Sequence, residues 1–436
     1  FASLVPQICM SKRLEKVLYP FQKEGMEWLS QSSTRILADD MGLGKSIQSI
    51  AAIERAIFVQ KISKVLIVCP HTLALNWISE LTKWCPSLTF YKLSNEDFYS
   101  TTKIINKINS NNIIISTYSH SKKLAEIFES RDLTFDLIVA DEAHKLRNNG
   151  SQTNRSFRKI PRERTWLLTG TPLERDEHDI RNMLICLDPK SVSARDHRSS
   201  KIVLKSTLAS VSLRRVKRDV LSDLPKIQRI QKHLEMGPSQ KTHYRSLLKD
   251  MLKAPFEERI GYLSKLSRAA IYAEDESSCK FDRAVEICEV AKESMKKVII
   301  FSNFNEALRI LKKTLQKNEI FSALLTGELE IDMRERVIKS FKTEKNITCL
   351  LCNSRIGSEG LNLTEASVVI FLNEWWNPSS NRQAEDRVNR IGQTEDIVIY
   401  LLRTKDTIDD NVVNIINDKI GIETEFLSRL VRDIGK

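Results

Sequence analysis

The chain has 436 residues, with 41% hydrophobic and 28% charged, an ordinary globular balance that leaves room for two or three domains and is too apolar for a disordered chain. Its 13 glycines and 11 prolines exclude collagen-like and low-complexity readings, and no apolar run approaches the roughly 20 residues of a membrane-spanning helix. Lys and Arg outnumber Asp and Glu by 68 to 56, a net charge of +12; this suits a polyanionic partner such as nucleic acid, or solubility alone.

Short runs rich in Val, Ile and Leu recur along the chain. The first set is Arg35–Ala38, Lys64–Cys69, Asn112–Ser116, Asp136–Ala140 and Thr165–Leu168. The second is Lys297–Phe301, Phe321–Leu325, Thr348–Cys352, Ser367–Leu372 and Ile397–Leu402. Such runs predict strands buried on both faces of a parallel sheet, and the segments between them are long enough for crossover helices. The fold class is therefore α/β, with two lobes of similar plan. Residues 1–228 form the first lobe, with a helical insertion from about 188, and 229–436 hold a linker and the second lobe, whose core begins near 280.

Eight cysteines in so long a chain do not make a disulfide framework, and a reducing compartment fits best. Cys349 and Cys352 form a CxxC, but zinc needs a second pair at finger-like spacing and the sequence has none; the pair reads as buried strand, so no zinc is expected. No signal peptide is visible. Residue 1 is Phe rather than Met, which leaves room for a natural start upstream.

The run Arg35–Ala38 leads into Asp39-Asp40-Met41-Gly42-Leu43-Gly44-Lys45-Ser46, followed by a helical pattern. Strand, glycine loop, Lys-Ser and helix are the parts of a nucleotide phosphate site. Glycines let backbone N–H groups approach phosphates, and the helix N-terminus favours negative charge. Lys45 would reach the β/γ-phosphates and the Ser46 hydroxyl would ligate Mg²⁺. The strict pattern has Gly where this chain has Asp39.

Asp136–Ala140 ends in Asp141-Glu142-Ala143-His144. Carboxylates at a strand's C-terminal end point into the crevice where open α/β sheets bind ligands. Asp141 would hold Mg²⁺, and Glu142 would orient and deprotonate an attacking water. In Gln383–Gln393, Arg387 and Arg390 lie three apart; on a helix they share a face and could meet a phosphate together. The alternative is a surface pair bridged to Glu385 and Asp386.

Together these blocks resemble the Swi/Snf-type helicase-like ATPases of helicase superfamily two, in the right order over nearly the whole chain. Tyr19–Gly25 resembles the Q-motif, whose Gln22 would contact adenine. Ala38–Ser46 resembles the family's phosphate loop. Ile67–Pro70 with Asn76-Trp77 resembles motif Ia, Ser116–Tyr118 motif Ib, and Leu168–Pro172 motif III. Leu213–Val220 with Leu224–Lys226 resembles a stretch near the lobe connection. Ile299–Phe304 resembles motif IV, Asn353–Leu363 motif V, and Gln383–Gln393 the final block. Ser278-Cys279-Lys280 stands where Ser-Gly-Lys is common, and Glu174-Arg175 where Gln-Asn is. The compact layout is similar to the HepA-related, annealing-helicase branch and equally to bacterial or phage members.

The resemblance implies two RecA-like lobes with ATP and Mg²⁺ between them, and an enzyme that hydrolyses ATP to move along double-stranded or forked DNA without separating the strands, remodelling protein–DNA complexes or DNA structures. The ATP site would comprise Gln22, Asp40, Met41, Gly42, Leu43, Gly44, Lys45, Ser46, Gly360 and Gln383. Lys45, Glu142, Arg387 and Arg390 would be catalytic, and Ser46 and Asp141 would hold Mg²⁺. DNA contacts would come from Thr72, Asn76, Ser116, Thr117, Arg355, Asn362, Trp376 and Asn377. Trp376 reads equally as core packing, and the basic clusters Arg155–Arg164 and Arg214–Arg218 equally as solvated faces. A DNA-bound protein or accessory subunit would be a further partner. No membrane association is expected, and the location would be intracellular: nuclear in a eukaryote, cytoplasmic in a bacterium or phage host. An RNA-stimulated helicase and a DNA-binding scaffold with an inactive ATPase core are the competing readings.

Overall fold

Strands buried on both faces need helices above and below them, and parallel strands need crossovers long enough to return the chain to the same end of the sheet. The computed structural model has this architecture twice. It describes residues 14, 17–148, 150–170, 177–189, 200–221, 225–354, 361–375 and 378–410. The chain divides into two compact units, Phe1–Ser222 and Asp223–Lys436.

In the first unit, helix α1 (Pro20–Ser30) precedes β1 (Thr34–Leu37) and α2 (Lys45–Gln60) follows it. There come β2 (Val65–Cys69), α3 (Ala74–Trp84), β3 (Phe90–Lys92), α4 (Thr101–Ser110), β4 (Ile113–Thr117), α5 (Ser121–Ser130), β5 (Phe135–Ala140), α6 (Gln152–Lys159), β6 (Arg162–Leu168), α7 (Glu177–Leu187), α8 (Lys201–Val211) and β7 (Ser212–Leu213). The strands form one sheet in the order β3-β4-β2-β5-β6-β1-β7, and every pairing is parallel. Its two faces carry separate apolar clusters: one under α4–α8, the other under α1–α3 with Trp77 and Trp166 at its centre.

The second unit begins with β8 (Ile227–Leu234), α9 (Pro238–Lys253) and α10 (Phe256–Ala269). It continues through α11 (Cys279–Glu293), β9 (Lys297–Ser302), α12 (Asn305–Lys317), β10 (Phe321–Leu325), α13 (Ile331–Thr343), β11 (Ile347–Asn353), β12 (Ala366–Phe371), α14 (Pro378–Glu385) and β13 (Ile397–Thr404). The order is β10-β11-β9-β12-β13-β8, again all parallel. Cys349 and Cys352 are both buried in β11.

All ten apolar runs are strands. Three strands lack that signal: β3, β7 and β8. β8 falls in the stretch expected to be linker, and its sequence IQRIQKHL buries no residue fully. It lies at the sheet edge against β13, so one flank faces solvent and polar residues are tolerated.

The start of α11 carries a fully buried lysine. Ser278 caps the helix by accepting a hydrogen bond from the Phe281 N–H (3.0 Å). Lys280, 0% exposed, donates to the Leu372 carbonyl (2.7 Å) and to Asp409 Oδ2 (2.6 Å), and the same oxygen accepts from the Thr404 N–H. One ammonium thus ties α11 to the ends of β12 and β13. Breaking one side of such a pair leaves a buried charge uncompensated. Lys280→Ala is therefore expected to cost about 3–5 kcal/mol, seen as a lower urea midpoint for the second unit, and adding Asp409→Asn is expected to cost less than the sum of the single changes.

Candidate nucleotide and metal site

The strand order determines which loops meet. β5, β6 and β1 are consecutive neighbours, so Asp141 after β5, Thr169-Gly170 after β6 and the loop 38–44 after β1 leave the same edge side by side. β2 flanks this trio on one side and β7 on the other. They bring in the segment around Trp77 and the segment 213–217.

The loop from β1 to α2 turns on Gly42 and Gly44, at φ 83° and 77°, where L side chains are strained. Gly44 is also crowded: a Cβ there would lie 2.6 Å from Gln22 Nε2. No side chain caps α2, which leaves its first N–H groups and dipole to an anion. Leu43 is fully buried and anchors the loop. Lys45 Nζ donates to the Asp39 carbonyl (2.8 Å) and the Asp40 carbonyl (3.3 Å). Gly170 leaves space for this arrangement, since a Cβ there would meet Met41 Cγ at 2.5 Å and Lys45 Nζ at 3.2 Å.

Gln22 is 3% exposed. Its Oε1 accepts from the Tyr19 N–H (3.1 Å) and its Nε2 donates to the Leu43 carbonyl (3.1 Å). The side chain expected at adenine thus also ties the start of α1 to the phosphate loop.

Asp141 is buried at the end of β5. Oδ2 accepts from Trp77 Nε1 (2.9 Å), Oδ1 accepts from the Glu142 N–H (2.8 Å), and its carbonyl accepts from Tyr118 Oη (2.7 Å). Burial and then the Glu142 charge push its pKa up to about 6, against the Trp77 hydrogen bond and the Lys45 charge. A carboxylate with so little compensation suits a hard cation. Among the described residues no cluster of three or more His, Cys, Asp or Glu side chains holds a metal alone. Ser46, the second residue of α2, is half-buried; Mg²⁺ typically binds through one or two protein oxygens and completes its shell with water and phosphate. Glu142 takes up a left-handed backbone, φ 50°, uncommon for a non-glycine residue and frequent where a side chain is held for function. Its Oε2 lies 3.0 Å from His144 Nδ1.

The structure alters the surroundings of other expected residues. Thr72 and Asn76 are half-buried and Asn362 is exposed. Ser116 is 1% exposed with Oγ 3.3 Å from His120 Nδ1, and Thr117 Oγ1 lies 2.7 Å from Ser119 Oγ; both hydroxyls are engaged within the protein. Arg162, in an expected basic cluster, is half-buried and turned inward onto backbone carbonyls. It donates to the Phe157 and Ile160 carbonyls (2.9 Å each) and to the Cys186 carbonyl (2.7 Å), and burial lowers its pKa to about 10. The helical argument for Arg387 and Arg390 is corrected. α14, which carries half-buried Gln383, ends at Glu385, and the two arginines follow in turns. That segment is fixed by the Arg387 carbonyl accepting from the Leu363 N–H (3.0 Å) and by Gln393 Nε2 donating to the Ala366 carbonyl (2.8 Å). Glu385 pairs with Arg229 at 2.5 Å. Arg355, Gly360, Trp376 and Asn377 lie outside the described residues.

Trp77, Gly170 and Arg215 take parts that sequence reasoning did not assign. The first two stand within recognised motifs, but nothing in their spacing shows that one supports Asp141 and the other makes room for Lys45. Groups hydrogen-bonded to a metal ligand typically alter metal affinity by about 10–100-fold. Trp77→Phe keeps the ring and removes the donor, so the Mg²⁺ concentration needed for half-maximal nucleotide-dependent activity is expected to rise about tenfold or more, with activity restored by excess Mg²⁺.

A family model described as the SNF2-related domain matches residues 21–320, and the helicase conserved C-terminal domain matches 279–392. An uncharacterized ATP-dependent helicase of Mycoplasma genitalium is 28% identical, over 92% of this chain and 41% of its own length. The Arabidopsis thaliana protein Chromatin Remodeling 19 is 26% identical, over 95% and 69%. A SWI/SNF-related, matrix-associated, actin-dependent regulator of chromatin from Xenopus tropicalis is 27% identical, over 98% and 52%. The chain thus spans from about two fifths to two thirds of these relatives. The solved Sulfolobus solfataricus SWI2/SNF2 ATPase core in complex with dsDNA is 24% identical, with 99% of this chain and 96% of that one covered and a TM-score of 0.47. With the first model covering well over half of its length, this chain belongs to the SNF2-related family.

Proposed function

We propose that the chain is a DNA-stimulated ATP hydrolase that converts turnover into movement along double-stranded DNA without conventional strand separation. The observation that carries the ATPase reading is Asp141: a buried carboxylate held by Trp77, within electrostatic reach of Lys45 and followed by Glu142 in a left-handed turn. Lys45 would leave the Asp39 and Asp40 carbonyls for the phosphates, an exchange of hydrogen bonds that costs little because each set replaces the other. Ser46 and Asp141 would hold Mg²⁺, which when bound neutralises charge on the phosphates. Glu142 would align the attacking water and accept its proton. Arg387 and Arg390 are proposed to stabilise charge developing on the γ-phosphate, and Gln393 to hold their turn in place.

Movement on DNA is supported by the family membership and the net charge of +12. Thr72, Asn76 and Asn362 are the accessible DNA candidates; Arg355, Trp376 and Asn377 are proposed from the motif resemblance alone. Contacts of this kind would fall mainly on phosphates, indifferent to sequence and weakened by salt. The substrate would be a protein–DNA complex or a forked or otherwise unusual DNA structure.

ATP hydrolysis measured alone, with duplex DNA, with forked DNA and with RNA tests the proposal. Duplex or forked DNA is expected to stimulate turnover and RNA is not. Glu142→Gln is expected to lower kcat by about 10²–10⁴-fold while ATP still binds. Equal stimulation by RNA, or full activity in Glu142→Gln, would overturn it.

A further inference from the structure

The position of Asp39 is occupied by glycine in the strict phosphate-loop pattern, and its side chain here is 0% exposed. A buried carboxylate needs a counter-charge and hydrogen bonds. Arg215 supplies them in a bidentate pairing: Nε donates to Oδ1 (3.0 Å), Nη2 to Oδ2 (2.6 Å), and the Arg215 backbone N–H also to Oδ1 (3.2 Å). Gln48 in α2 donates to Oδ2 (3.1 Å) and accepts from Arg215 Nη2 (2.8 Å). Nη1 reaches the Phe21 carbonyl in α1, and the guanidinium lies 5.3 Å from the centre of the Phe21 ring. Gly25 leaves the space: a Cβ there would lie 2.6 Å from Arg215 Nη2 and would overlap Gln48 Oε1. The backbone is joined as well. Ala38 N–H donates to the Leu213 carbonyl (2.7 Å) and Asp40 N–H to the Arg215 carbonyl (3.0 Å), and the Lys217 N–H donates to Asp40 Oδ2 (3.3 Å). The two residues so fixed, Asp39 and Asp40, are those whose carbonyls hold Lys45.

We propose that Arg215 is a positioning residue for nucleotide: it locks Asp39 and Asp40 so that Lys45 and the N–H groups at the start of α2 are set for the phosphates. This rests on the reading of the loop as a nucleotide site. A cluster expected to be solvated or DNA-facing thereby contributes one of its arginines to the ATP site. An arginine fork is required, because a lysine donates from a single nitrogen, which cannot span both carboxylate oxygens, Gln48 and α1 as the guanidinium does.

The test uses the full chain, with ADP and ATP binding by calorimetry, melting temperature, and steady-state turnover, for wild type, Arg215→Ala, Arg215→Lys and the double variant Arg215→Ala/Asp39→Asn. Arg215→Ala is expected to bind nucleotide about 10–100-fold more weakly and to melt lower. The double variant, with the buried charge removed, is expected to regain melting temperature but not affinity, and Arg215→Lys to rescue affinity only in part. Wild-type affinity in the folded Arg215→Ala chain, or affinity that returns together with melting temperature in the double variant, would show a purely structural pair and overturn the proposal. Binding without turnover in wild type would contradict the hydrolase reading, while the affinities would still decide the role of Arg215.

Discussion

Parallel strands cannot be joined by tight turns, so each must be left at one end of the sheet and re-entered at the other. In both units this places every loop that follows a strand on a common edge, the edge at which open α/β sheets hold their ligands. The rest of the site follows from neighbour relations along that edge. The phosphate loop lies next to Thr169-Gly170 because β1 lies next to β6. Asp141 is one strand further because β5 pairs with β6, Trp77 reaches Asp141 because β2 pairs with β5, and Arg215 reaches Asp39 because β7 pairs with β1.

Two buried aspartates near this edge are treated in opposite ways. Asp39 is neutralised within the fold, by a guanidinium fork and an amide. Asp141 receives an indole N–H and a backbone N–H, and burial with the adjacent Glu142 charge raises its pKa. The first arrangement makes a loop rigid. The second leaves a demand for positive charge that a divalent cation with phosphate would meet. Apolar clusters on both faces of the sheet hold the strands that carry these residues, an arrangement common where a rigid scaffold supports a polar site.

Much of this was legible in the residues. An interior parallel strand must be apolar throughout, so β2, β4, β5, β11 and β12 read directly as strands, and the glycine loop with Lys45 and the Asp141-Glu142 pair reads as phosphate chemistry. Edge strands carry no such requirement, and β8, with its IQRIQKHL sequence, passed for linker. Partners distant in sequence were also hidden. Arg215 and Asp39 are 176 residues apart, and only strand order brings them together. The turn at Arg387–Arg390 looked helical because three-residue spacing is compatible with a helix; the helix stops at Glu385.

The central claim is that the edge holding loop 38–46 and Asp141 binds a nucleotide with a divalent cation. Hydrogen–deuterium exchange on the full chain with and without ADP and Mg²⁺ tests this most directly, read over residues 39–46 and 140–143 in wild type and Lys45→Ala. The account predicts slower exchange in both segments of wild type, with the protection lost in Lys45→Ala. Unchanged exchange in both segments at saturating ADP and Mg²⁺, or protection that persists in Lys45→Ala, would contradict it.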